Sequence, residues 1–98
     1  MANTSTPNLQ AYAEPLVAIS TGHLDADTGT SLDDNAWGLI IYPTDTGAFV
    51  YCNPATPFSQ DVPSELLNIL TLAKAAGFVW VKFDRDACLV DGLPAFDW

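Results

Sequence analysis

The sequence is 98 residues long and 49% hydrophobic, with 11% aromatic residues and a formal charge of −9. This length bounds the chain to one domain, and the apolar fraction suffices for a core and excludes a disordered polypeptide. No run approaches the roughly 20 apolar residues of a membrane span, and three bases against twelve acids argue against direct binding of nucleic acid.

Residues 1–15 (MANTSTPNLQAYAEP) lack the basic and apolar regions of a secretory signal. They read as a flexible polar arm in which Pro7 and Pro15 discourage a helix, and a cytoplasmic protein is the expectation. Residues 16–98 read as a single α+β domain. Leu16 to Ser20 predict a strand. The following stretch, HLDADTGTSLDDNAW, predicts a helix with Leu24 and Leu32 on one face, Ser20 or Thr21 as its cap and Asp25 near its start, although Gly29 between two threonines weakens it. Trp37 to Tyr42 predict a strand, Pro43 to Gly47 a turn, and Ala48 to Cys52 the returning strand of a hairpin.

Residues 53–60, with two prolines, cross to the most strongly patterned stretch, DVPSELLNILTLAKAAGFVWVKFD. Asp61 is the candidate N-cap and Pro63 suits the first turn. Leu66, Ile69, Leu70 and Ala73 recur at helical spacing. Gly77 supplies the left-handed stop. Phe78 to Phe83, β-branched and aromatic, predict a central strand, and Ala87 to Val90 a short last one. The element order is β-α-β-β-α-β, the ferredoxin-like arrangement: an antiparallel sheet with two helices on one face, plus a short C-terminal strand.

The distribution of charge is uneven. Residues 1–73 hold eight acids and no Lys or Arg; Lys74, Lys82 and Arg85 all fall in the last quarter. Asp25, Asp27, Asp33, Asp34 and Asp45 therefore form an acidic segment without local neutralisation, suited to a basic partner. Phe96 and Trp98 close the chain as a candidate aromatic docking element. Cys52 and Cys88 are expected to be reduced, buried small hydrophobes. His23, with Ser20 and Asp25, invites a hydrolytic reading, but a triad within six positions at a strand exit is poor geometry, and a capping and packing role is the expectation. DADTGTSLDD does not match the spaced calcium loop, and neither a metal nor any other cofactor is expected.

Ile19-Ser20-Thr21 followed by His23, the central hairpin, Asp84-Arg85-Asp86, and Asp91-Gly92-Leu93-Pro94 with Asp97-Trp98 resemble an uncharacterised family of small acidic bacterial proteins carried on mobile elements, often near anti-restriction genes. The resemblance covers about Leu16 to Trp98. It implies a setting of phage or plasmid against host defence and carries no catalytic residue. The acidity is similar in type to that of anti-CRISPR and anti-restriction inhibitors. The expected function is a non-enzymatic, DNA-mimicking inhibitor that occupies the nucleic-acid-binding surface of a basic, nucleic-acid-handling host protein. The alternative is an accessory or self-assembling interaction domain, such as a homodimer, whose acidity serves solubility.

Overall fold

A computed structural model describes residues 6–34 and 37–96. Strand β1 (Leu16–Ile19) is followed by α1 (Ala26–Ser31), the hairpin β2 (Ile41–Thr44) and β3 (Gly47–Tyr51), α2 (Ser64–Ala75) and β4 (Trp80–Asp84). Single 3-10 turns lie at Leu9–Tyr12, Thr21–His23 and Leu32–Asp34. Among the described residues no helix is long and apolar enough to cross a membrane.

The β-α-β-β-α-β order holds, and the fold is a small α+β one, but the sheet is not the expected antiparallel ferredoxin-like sheet. Its strand order is β1-β4-β3-β2, with β1 parallel to β4 and the other neighbours antiparallel. The ferredoxin-like arrangement would set β1 in the interior; here β4 takes that place. β4 sends fully buried Val81 and Phe83 into the core and needs a neighbour on each side. The shorter β1, with Leu16 and Ala18 exposed, fits an edge. β2 holds the other edge, where Pro43 costs no ladder hydrogen bond.

α2 is the helix the spacing predicts. Leu66, Ile69, Leu70 and Ala73 are its buried stripe, and they share one core with Leu24, Leu32, Ile19, Ala48, Val50, Val81 and Phe83. Its C-terminus is a Schellman motif: Gly77 (φ 91°) donates to the Lys74 carbonyl and Phe78 to the Ala73 carbonyl, both at 3.0 Å. Its N-terminus differs from expectation. Pro63 stands at the cap without a side-chain bond, and Asp61 is exposed, its N–H donating to Ser59 Oγ at 3.1 Å. α1 is only 6 residues long. Asp25 caps it, Oδ1 accepting the Thr28 N–H at 2.8 Å, and buried Thr28 donates through Oγ1 to Glu65 of α2.

The expected strand at Ala87–Val90 is irregular, because its backbone groups are taken by the exit of β1 rather than by a ladder. The Cys88 carbonyl accepts the Ser20 N–H at 3.2 Å, and the Phe96 N–H donates to the Gly22 carbonyl at 2.8 Å. The two cysteines differ in placement. Cys52 is fully buried and donates through Sγ to the Phe78 carbonyl at 3.2 Å; Cys88 is exposed. Burial pushes the Cys52 thiol up from its usual range.

Candidate functional site at the carboxyl end of the sheet

Three strands run the same way: β1 and β4 are parallel, and β2, antiparallel to β3, runs with them. Their carboxyl ends therefore open on one side, the side where open α/β sheets build crevices. A cavity of about 490 Å³ lies there. Ser20 and Thr21 enter it from the exit of β1, Asp33 from the turn after α1, Thr46 from the β2–β3 hairpin, Arg85 from the exit of β4, and Phe96 from the C-terminal segment.

Each wall has a local cause. Ser20 Oγ accepts the Gly22 N–H at 2.9 Å, turning the chain sharply out of the sheet. The hairpin lies close against β4, because a Cβ at Gly47 would sit 1.9 Å from the Phe83 carbonyl oxygen. Only glycine permits that approach. The Arg85 N–H then donates to the Thr46 carbonyl at 2.9 Å, joining the hairpin tip to the end of β4.

Asp84 supports this corner. Its carboxyl is held below its ordinary value, chiefly by the Asp86 N–H donated to Oδ1 at 2.9 Å and, against partial desolvation, by the Thr46 side chain and Lys82. Lys82 Nζ stands 3.5 Å from Asp84 Oδ2. A depressed folded-state pKa stabilises the fold above the unfolded-state value, and that contribution is lost as pH falls through the folded-state value. Protection of the Thr46, Arg85 and Asp86 amides, taken relative to the intrinsic exchange rate at each pH, should therefore fall at acid pH, and Asp84→Asn should remove that fall.

His23 is 1% exposed, and both its ring nitrogens bond to partners other than Ser20. The Val90 N–H donates to Nε2 at 2.8 Å, so that nitrogen is the acceptor. The proton then lies on Nδ1, which donates to the Pro94 carbonyl at 2.8 Å. Both ring nitrogens hold the C-terminal segment against the exit of β1.

The predicted site residues separate. Asp33 and Phe96 line the same cavity. Asp45 is exposed on the two-residue hairpin turn beside Thr46. Asp27 and Asp34 are exposed on α1 and the turn after it. Asp25 is half-buried and committed to capping α1. Trp98 lies outside the described residues. The acidic end is also not free of bases, since the fold carries Arg85 into the cavity that Asp33 lines. Linear distance along the chain hid that neighbour. No three of His, Cys, Asp and Glu gather as a metal-ligand set among the described residues.

A second feature lies on the other face of the sheet. Leu16, Tyr42, Phe49 and Trp80 line an apolar depression on the sheet face away from α2. Tyr42 is 58% exposed, and Tyr42 and Tyr51 pack on Trp80 with ring centroids at 5.8 and 5.1 Å. Glu14 Oε1 accepts the Trp80 indole N–H at 2.9 Å, and Lys82 Nζ lies 5.6 Å from the Phe49 ring centre. The signal for this face was present in the alternation of WVKFD, where Val81 and Phe83 share one parity and Trp80 and Lys82 the other.

No curated protein and no solved structure matches the chain. Residues 16–98, from the start of β1 through both walls of the cavity, match the C-terminal domain of a family of unknown function (DUF5983), and the chain belongs to that family.

Proposed function

We propose that this protein is a non-enzymatic binding module whose acidic end occupies a basic, nucleic-acid-binding surface of another protein, in the manner of anti-CRISPR and anti-restriction inhibitors. One observation carries the reading: Asp27, Asp33, Asp34 and Asp45 are all exposed, and none is ion-paired among the described residues. Structural charges pair or cap, as Asp84 and Asp25 do. These four make no ion pair among the described residues and leave negative charge for a basic partner. The setting of mobile element against host defence follows the family resemblance drawn from the chain's motifs.

Asp27, Asp34 and Asp45 changed together to Asn removes three charges at nearly constant volume. Stability should stay within about 0.5 kcal/mol. Proteins captured by the wild type should be released by duplex DNA and by salt, since exposed charges are screened over about 8 Å at physiological ionic strength. The variant should associate about tenfold more slowly. Capture that resists DNA and is unchanged in the variant overturns the reading.

The exposed face of Leu16, Tyr42, Phe49 and Trp80 favours a second reading, a self-assembling interaction domain. Sedimentation separates the two. A concentration-dependent dimer that Tyr42→Lys abolishes supports self-assembly, and a monomer at all concentrations rejects it.

A further inference from the structure

The cavity at the carboxyl end of the sheet holds more polar capacity than the fold uses. Ser20 is 8% exposed and lines it. Its Oγ accepts from Gly22, and a hydroxyl that accepts still has a proton to donate. No acceptor for that proton exists among the described residues. Arg85, the chain's one arginine, brings a planar fork of donors to the same cavity. The one ion pair among the described residues is Lys82 with Asp84, so Arg85 and Asp33 line one cavity without pairing with each other. Thr21 and Thr46 add hydroxyls, and Phe96 an aromatic wall.

The volume, about 490 Å³, falls in the range of small-molecule sites, and the lining is of polar side chains and glycines, with Leu32 and Phe96 as its apolar side chains. The charges select the ligand class. A guanidinium and an unpaired carboxylate in one cavity complement a molecule bearing both a carboxylate and an ammonium. The chain's charge of −9 opposes entry of a polyanion such as a nucleotide, whereas a ligand neutral overall meets no such barrier.

We infer that this cavity binds a small zwitterion of the amino-acid class. Arg85 and the Ser20 and Thr21 hydroxyls take its carboxylate, Asp33 takes its ammonium, and Phe96 lies against its side chain. The site shares Asp33 with the acidic surface, but Asp27, Asp34 and Asp45 take no part, so the triple Asn variant at those three positions tests the surface without altering this site.

The test is amide chemical-shift titration of the full chain with the standard L-amino acids one at a time, with acetate and methylammonium as half-ligands. At least one amino acid should shift the Ser20, Thr21, Thr46 and Arg85 amides together, saturably and more tightly than either half-ligand. Arg85→Gln and Asp33→Asn should each weaken it about tenfold or more. Both residues are exposed, so the variants should fold, and unchanged amide dispersion elsewhere checks this. If no amino acid moves these amides at about 10 mM, the inference fails. It also fails if acetate binds as well as any amino acid and Asp33→Asn has no effect.

Discussion

Leu70→Ala should lower the stability of the fold by about 2–5 kcal/mol, read as a shift of the urea midpoint at constant slope. Leu70 is fully buried on α2 and meets a core to which Val81 and Phe83 of the central strand belong. Truncation removes apolar contacts and leaves a cavity, and the Schellman end of α2 limits how far the helix can shift to close it. Leu72→Ala on the same helix is the internal control. Leu72 is 51% exposed, so its truncation should cost well under 1 kcal/mol, because surface substitutions rarely exceed about 0.5 kcal/mol. Equal losses at the two positions would show that the stripe is not what holds α2 to the sheet.

The contrast between these two leucines shows what was legible in the sequence. The 3.6-residue period of Leu66, Ile69, Leu70 and Ala73, with Gly77 as stop, is local information, and the buried stripe is as the spacing predicts. Boundaries that depended on proline and aspartate were less legible. Pro43 reads as the start of the turn, yet it lies inside β2, because an edge strand has a side on which the missing donor is not needed. Asp61 reads as a cap, yet its backbone turns with Ser59 and the helix starts beyond Pro63.

The exchange of β1 and β4 was not legible at all. Each strand's own pattern specifies a face and not a neighbour, and the parallel pairing of Leu16 with Trp80 joins opposite ends of the chain. The candidate site shares that fate. Ser20, Asp33, Thr46, Arg85 and Phe96 come from five separate segments, and only the sheet order brings them to one cavity. The acidic count was visible along the chain. The arginine inside its territory was visible only in the fold, as was the division between Asp25, which caps, and the acids that stay free.

His23→Ala should lower stability by about 2–4 kcal/mol. Two hydrogen bonds go, from the Val90 N–H to Nε2 and from Nδ1–H to the Pro94 carbonyl. A buried group left unsatisfied costs about 1–3 kcal/mol, and the missing ring adds a cavity. Val90 and Pro94 are exposed, so water repairs part of the loss. That keeps the expectation below the sum of the two penalties and the cavity. The damage should also be local. With the latch gone, the bonds from Ser20 to Cys88 and from Phe96 to Gly22 lose their support, and the segment from Cys88 to Phe96 should detach before the sheet melts. Amide exchange should accelerate at Val90 and Phe96 while Val81 and Phe83, in the central strand, keep their protection. His23→Gln, which offers one donor and one acceptor on a flexible stem, should recover part of the stability. Uniform acceleration across the sheet in His23→Ala would show instead that the histidine supports the whole core. Because Phe96 forms a wall of the cavity, detachment should also abolish any shift of the Ser20 and Thr21 amides by a bound amino acid. The latch thus links the C-terminal segment to the site at the carboxyl end of the sheet.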